Sequence, residues 1–339
     1  MHADQFTPGG TKKSQGDYAS ISIDLDNEWA YLKALGDPRW RMYPSYLYKV
    51  VPVILQFLKS RGVVLTVFVV GKDADFPGNM ESLASLSDLN HEIGNHSLRH
   101  DITLHNYNEI ELERDLSEAE ELIGAATGKH PVGFRGPGFS LSEVTLRVLS
   151  NRGYLYDASS LPTYIAPLAS AYHRRMSHRS HSEREAVNEL SGAWIDGLRP
   201  LKPHRWKVGE RSLLEIPVTT FPIFRFPIHL TYVMYAAGAS RRLALLYFES
   251  ALALCRRNRI APSILLHPID FIDLGDAPSL LGLPTIGLKN SIKLSLLNDC
   301  FDYIQARWSI VTMCQHAELA SRSSTLPCIE WRSPSRTSH

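Results

Sequence analysis

Short runs of β-branched and apolar residues recur along this chain, each followed by a segment with apolar residues at helical spacing. That alternation limits the fold more than any other feature. The clearest run, residues 63–70 (Val-Val-Leu-Thr-Val-Phe-Val-Val), ends at Gly71 as a buried parallel strand does. Further strands are expected at 21–25, 132–134, 155–157, 213–218, 263–266 and 310–312. Helices are expected at 44–59, 109–126, 141–151, 241–258 and 288–306. In the first helix Tyr48, Val51, Leu55 and Leu58 form the apolar stripe. In the second, Ile110, Leu112, Leu116, Ala119, Leu122 and Ile123 do, and Gly128 stops it. Six or more such units point to an irregular α/β barrel, although an open doubly wound sheet has the same local pattern.

The ends and one internal stretch break the pattern. Residues 1–17 read as a polar, disordered arm and residues 321–339 as a flexible, solvated tail, which leaves 18–320 for the folded body. Residues 160–211 read as an insertion between the late strands. Within it, 171–211 carries nine Lys/Arg against five Asp/Glu, in keeping with a basic lid or with a plain connecting excursion. Overall, 36 Lys+Arg against 35 Asp+Glu give a net charge of +1, which argues against a dedicated nucleic-acid binder. No window offers eighteen consecutive apolar residues, so a transmembrane segment is not expected. The first residues lack the apolar core of a signal peptide, and Cys255, Cys300, Cys314 and Cys328 lack the spacing of a zinc knuckle or redox motif. Both features favour a cytoplasmic protein with free thiols.

Four clusters could do chemistry. In Ser22-Ile23-Asp24-Leu25-Asp26, residues two apart in a strand share a face, so Asp24 and Asp26 can enter one cavity. Two neighbouring carboxylates repel unless a cation or proton relieves them. In His91-Glu92-Ile93-Gly94-Asn95-His96-Ser97-Leu98-Arg99-His100, the spacing puts His96 and His100 on one side of a helical turn, able to grip one divalent ion. Gly133-Phe134-Arg135-Gly136-Pro137-Gly138-Phe139 offers backbone amides in a tight turn and an arginine able to hold a carboxylate. His267 ends the apolar run Ile264-Leu265-Leu266, on the same rim if the strands form a barrel. Singly, each has an ordinary structural explanation; together they converge.

In this order the clusters resemble the polysaccharide deacetylase family, the homology domain shared with nodulation chitooligosaccharide deacetylases (carbohydrate esterase family four). His-Glu-Ile-Gly-Asn-His-Ser-x-x-His is the most specific element, with Arg-x-Pro-Gly in support. The resemblance covers about residues 19–151 and returns at 154–159 and 263–270. It implies a distorted (β/α)7-type barrel as the catalytic body over 18–320. It implies one divalent metal ion, zinc or alternatively cobalt, nickel or manganese, held by Asp26, His96 and His100. By the same resemblance Asp24 is the base, Arg135 orients it, and His267 is the general acid. Gly138 and Phe139 bind substrate or oxyanion, and Asp157 is the carboxylate at hand to support the acid. The usual first motif has adjacent aspartates, whereas Leu25 separates them here.

The implied activity is a hydrolase acting on carbon–nitrogen bonds other than peptide bonds. It would remove an N-acetyl group from an amino-sugar glycan or its lipid- or nucleotide-linked precursor, with peripheral contact at the inner face of the membrane through residues 221–228. The alternatives are a cyclic-amide or formamide hydrolase on the same scaffold and a non-catalytic carbohydrate-binding protein.

Overall fold

Tyr18–Asp24 (β1) lies deep in the molecule, and its alternation organises everything around it. Ala19, Ile21 and Ile23 join the main apolar core, while Ser20, Ser22 and Asp24 leave the opposite face. The computed structural model describes residues 17–164, 196–283, 285–323 and 326–331.

Parallel strands flank β1. Thr66–Val69 (β2) pairs with its C-terminal half, Ser263–Leu266 (β8) runs from Ser20 to Ile23, and Ser309–Val311 (β9) pairs with its beginning. Outward from β2 follow Glu92–Asn95 (β3), Gly133–Phe134 (β4) and Tyr156–Asp157 (β5), all parallel. Arg211–Glu215 (β7) pairs parallel with β5. His204–Val208 (β6) pairs antiparallel with β7, and Cys328–Glu330 (β10) runs parallel to β6 at the edge.

The helices are Glu28–Leu35 (α1), Leu47–Ser60 (α2), Gly71–Ala74 (α3), Met80–Asp88 (α4), Glu109–Thr127 (α5), Glu143–Asn151 (α6), Leu230–Arg257 (α7), Asn290–Gln305 (α8) and Met313–Ser321 (α9). Leu47, Val50 and Ile54 of α2, Phe248 and Leu252 of α7, and Leu297 and Phe301 of α8 bury the outer face of β1. Of the stripe expected on α2, Val51 and Leu58 are buried and Leu55 packs against the core, but Tyr48 is exposed, and Val50 and Ile54 widen the buried face. On α5 Ile110 is likewise exposed. That helix opens with a capping box, in which Asn108 accepts from Glu111 N and the Glu111 carboxylate accepts from Asn108 N. Helix α7 bends at Ser240, where the backbone is extended, so the stretch expected at 241–258 is only its second half.

This is the expected α/β architecture with a mostly parallel sheet. No ladder closes the sheet among the described residues. Single bonds bridge the gap instead: Val218 N donates to Ser160 O, Thr219 N to Ser263 O, and Ser263 N to Thr219 Oγ1. The irregular segment after β7 thus does the work of a closing strand.

The stretch 160–211 and the tail contain regular structure that patterning missed. Strand β6 lies inside the expected insertion, and β10 lies inside the expected tail, held by β6 through Arg205 N to Pro327 O. Both are short and polar on their exposed side, so they lack the apolar run that marks a strand. Residues 165–195, most of the expected lid, and residues 1–16, most of the expected arm, lie outside the described residues. No helix of the described residues is long and apolar enough to cross a membrane. The four cysteines are unpaired.

Candidate functional site

Every strand around β1 runs parallel, so the loops after β1, β2, β3, β4 and β8 gather at one end of the sheet. Asp24 closes β1, and Asp26 follows in the turn into α1. The turn is fixed by Asn27, whose side chain accepts from Glu28 N and Tyr46 N and donates to Asp73 Oδ1 at 2.7 Å. Trp29 Nε1 donates to the same Asp73 oxygen at 2.8 Å. Burial pushes the Asp73 carboxyl up to about 7, against the pull of those two donors.

His96 follows β3 and is seated by its backbone N–H on Val69 O. Its Nδ1 donates to Arg135 O at 2.6 Å, which fixes the tautomer and turns Nε2 toward the carboxylates. Nε2 lies 3.3 Å from Asp26 Oδ1 and 4.0 Å from Asp24 Oδ2. His100 Nε2 lies 3.0 Å from the same Asp26 oxygen. The helical turn expected for these two histidines is not present. Residues 96–100 form an irregular loop with left-handed backbone at Ser97 (φ 64°) and His100 (φ 46°). Gly71 N on Ser97 O, Lys72 N on Leu98 O, and Leu98 N on Asp115 Oδ1 at 3.0 Å pin that loop. The four-residue spacing brings the rings together by another route.

Asp26, His96 and His100 are all buried, and one ligand atom from each lies within 4.8 Å of the others. Asp26 Oδ1 and His100 Nε2 make no aligned hydrogen bond despite their closeness. Burial alone would raise the Asp26 pKa, but the His100 and His96 rings hold it well below the usual carboxylate range. Burial opposes a charged His96, and the Asp24 and Asp26 carboxylates outweigh it and raise that ring. One carboxylate and two imidazoles with unspent lone pairs are a donor set that suits a divalent transition metal.

Arg135 is completely buried. Its Nη1 donates to Asp24 Oδ1 at 2.7 Å and Ser22 Oγ at 2.8 Å, and its Nε donates to Ala158 O at 2.9 Å. The guanidinium lies 4.4 Å from the Phe68 ring centroid. The turn after it is left-handed at Gly138 (φ 58°) and Phe139 (φ 63°). Phe139 N donates to Gly136 O, so the expectation that it offers an amide to a ligand is corrected: that N–H is spent inside the turn.

His267 sits one residue beyond the last pair of β1 and β8, Ile23 with Leu266. Asp24 follows Ile23 as His267 follows Leu266, so both come directly after the last paired residues of two adjacent parallel strands. His267 Nδ1 meets Thr231 Oγ1 at 2.9 Å, and Thr231 Oγ1 donates to Asp270 Oδ2 at 3.1 Å. Asp157 does not support this histidine, a second correction. It accepts from Ser159 Oγ at 2.6 Å, Ser159 Oγ accepts from Gly136 N, and Glu215 lies beside Asp157 across the β5–β7 register. Burial raises both carboxyls of that pair, Glu215 strongly.

Sequence patterns missed Thr231, Asp270 and His229. His229 is buried, its Nδ1 is without a partner among the described residues, and its ring meets that of His267 edge-on at 5.7 Å. Burial, then His267 and Arg135, push it well below the usual range. Asp270 alone had a local sign, three residues after His267 at a turn start, where a carboxylate caps.

Fold and side chains define a class: an α/β protein with a buried Asp-His-His cluster, an Asp–Arg pair and a further histidine at the C-terminal ends of its parallel strands. Residues 42–156 match the family model described as polysaccharide deacetylase, the family that the motifs resemble. The matched stretch includes His96, His100, Arg135 and Gly138, whereas Asp24, Asp26 and His267 lie outside it and are brought in by folding. The fold is shared with a protein from Mycobacterium smegmatis assigned as a polysaccharide deacetylase, 19% identical, covering 97% of this chain and 99% of that one with a TM-score of 0.62. A Puue allantoinase shares it at 16% identity, with 89% and 83% covered and a TM-score of 0.51. No curated protein matches the chain in sequence.

Proposed function

We propose that this protein is a metal-dependent hydrolase that removes an N-acyl group, in the first instance N-acetyl, from an amino sugar in a glycan or glycan precursor. The family whose model residues 42–156 match is one of hydrolases acting on carbon–nitrogen bonds other than peptide bonds. The observation that carries the proposal is the buried trio Asp26, His96 and His100 set directly beside the Asp24–Arg135 pair. The trio would hold the cation. Zinc is the first choice for a site of two imidazoles and a carboxylate, with cobalt, nickel or manganese as substitutes. Bound there, such an ion supplies a water of lowered pKa and polarises an acyl oxygen.

The chain's own groups then divide the work. Asp24 takes the proton of the attacking water, and Arg135 holds its other oxygen so that Oδ2 stays turned toward the trio. The exposed Gly138 amide offers a donor for the developing oxyanion, an effect typically worth about 10²–10³-fold per donor. His267, half-buried on the strand beside Asp24, delivers a proton to the departing amine, which is otherwise a poor leaving group.

Metal analysis of purified protein, followed by acetate release from N-acetylglucosamine oligomers, tests the proposal. One equivalent of metal and acetate release that chelator abolishes are expected. Metal-loaded protein that releases acetate from no oligomer, yet opens small cyclic amides, would replace the glycan with the cyclic-amide alternative. Protein that binds oligomers without hydrolysis would favour the non-catalytic one. The proposal extends to a lipid-linked glycan through Ile223, Phe224 and Phe226, which are exposed around Arg225 while Phe221 and Ile228 anchor the segment. Flotation with anionic vesicles is the expected result, and protein that stays at the bottom of the gradient removes that extension.

A further inference from the structure

We propose that Thr231 and Asp270 are positioning residues that set the tautomer of His267, holding the ring proton on Nδ1 and leaving Nε2 as the nitrogen that meets substrate. The proposal rests on the role given to His267 above and names what orients it.

A threonine hydroxyl has one proton to give. Thr231 Oγ1 donates to Asp270 Oδ2 at 3.1 Å and lies 2.9 Å from His267 Nδ1. With its proton on the carboxylate, the hydroxyl can only accept from the ring, so Nδ1 carries hydrogen. The opposite polarity would turn a hydroxyl lone pair toward the lone pairs of a buried carboxylate oxygen and cut its donors from two to one, which is unfavourable. The same Asp270 oxygen accepts His267's own backbone N–H at 2.9 Å, so one atom anchors the main chain directly and the imidazole through Thr231. Were Asp270 protonated on its unpartnered Oδ1, Oδ2 would still accept, and the order of the relay would stand.

The turn that carries Asp270 is itself held. Lys293 of α8 is buried and donates to Ile269 O at 2.7 Å and to Ile272 O at 2.5 Å, on either side of Asp270 and Phe271. His229, the other imidazole nearby, packs edge-on against His267 without taking Nδ1. The Asp270 N–H, which also faces this side chain across the turn, is spent on His267 O at 3.0 Å, so among the described residues Thr231 is the hydrogen-bond partner of Nδ1, arriving from the first turn of α7, 36 residues before the histidine.

The test uses the full chain with Thr231→Val, Thr231→Ser and Asp270→Asn. Long-range ¹H–¹⁵N correlation of metal-free protein, assigned with His267→Gln, should show the Nδ1–H tautomer in the wild type and in Thr231→Ser. It should show a shift toward Nε2–H in Thr231→Val. A wild-type ring protonated on Nε2 alone overturns the proposal whatever the activity. With zinc added, Thr231→Val should lose roughly 10–100-fold in kcat on N-acetylglucosamine oligomers, a part of the roughly 10²–10⁴-fold that a general acid contributes, with little change in KM. The loss on 4-nitrophenyl acetate, whose leaving group needs no proton, should be much smaller, and Thr231→Ser should recover most of the rate. Equal kcat in wild type and Thr231→Val overturns the positioning role. A wild type inactive on both probes overturns the deacylase proposal, while the tautomer measurement still decides this one.

Discussion

Arg135 shows how far one side chain reaches in this site. Wholly out of solvent, it ties β4 to β1 through Asp24 and Ser22 and to the chain after β5 through Ala158 O. Its side chain thereby sets Asp24, the proposed base, while its backbone carbonyl seats His96. Asp24→Asn keeps an oxygen for Arg135 and lacks the basic one, so metal content should hold while kcat falls at least about a hundredfold. Asp26→Ala should lose metal and activity together. Elemental analysis beside kinetics separates the two, and an Asp24→Asn enzyme of full activity removes Asp24 from the base role. A different residue governs acid stability. His316 is buried with Nδ1 at 2.8 Å from Ser20 Oγ, and burial pulls its pKa down to about 3. The unfolded value is near 6.5, so below that pH the unfolded chain binds the extra proton and the folded one does not. This contribution to stability is complete above about pH 6.5 and is lost on acidification at up to ~1.4 kcal/mol per pH unit. Urea unfolding at about pH 7 and about pH 5 should show a shallower loss in His316→Asn, and equal losses would clear His316. Asp24, Asp26, Arg135 and His267 were legible because each ends or follows an apolar run. Thr231 was not, because its role comes from a contact that no local pattern encodes.

Elements were read best where apolar side chains mark both faces or one clear stripe. Strand β8 emerged with its expected limits, and β1, β2 and α8 within a few residues. Strand β3 was missed although it carries the histidine loop. Its inward positions hold Glu92, which receives Thr66 Oγ1, Tyr156 Oη and Cys314 N, and Gly94, where a Cβ would lie 2.5 Å from the Phe68 ring. A polar network and a close approach replace the apolar residues a strand normally displays. The turn from Gly136 to Ser140 gives a sharper test of how an element sets the site. A Cβ on Gly136 would lie 2.0 Å from Ser140 O, a backbone atom that cannot step aside, whereas one on Gly138 would meet only Ile102 Cγ2 at 3.2 Å. Gly136→Ala should therefore cost about 1–3 kcal/mol and displace the adjacent Arg135. Gly138→Ala should cost only about 1 kcal/mol, mainly for its left-handed φ. Denaturant midpoints rank the two, and the reverse order would mean that the turn is not held by close contact at Gly136.

At the scale of the molecule, the sheet collects residues scattered over more than two hundred positions at one rim, and the barrel expectation conveyed that gathering even though the ring closes through single bonds rather than a ladder. The consequence is that cation binding and folding are linked. Asp26 ends a turn after β1, His96 and His100 sit on the loop after β3, and only the folded chain holds all three within 4.8 Å. A ligand bound by the folded state alone stabilises it by RT ln(1 + [L]/Kd), about 2.7 kcal/mol at a hundredfold excess over Kd. For a folded body of about 300 residues, at ~2.1 cal/mol/K of unfolding entropy per residue, that is roughly 3–5 °C in Tm. Metal-free protein titrated with zinc should rise in Tm over that range and return with chelator, and histidines and thiols of the unfolded chain would trim the gain. His100→Ala removes one ligand and leaves the Asp24–Arg135 pair and the relay to His267 untouched. Its Tm should stay nearly flat with zinc, and its response to urea without metal should stay near that of the wild type. A Tm rise in His100→Ala equal to that of the native sequence would place the stabilising ion elsewhere on the molecule, and with it the centre around which Asp24 and His267 are set to work.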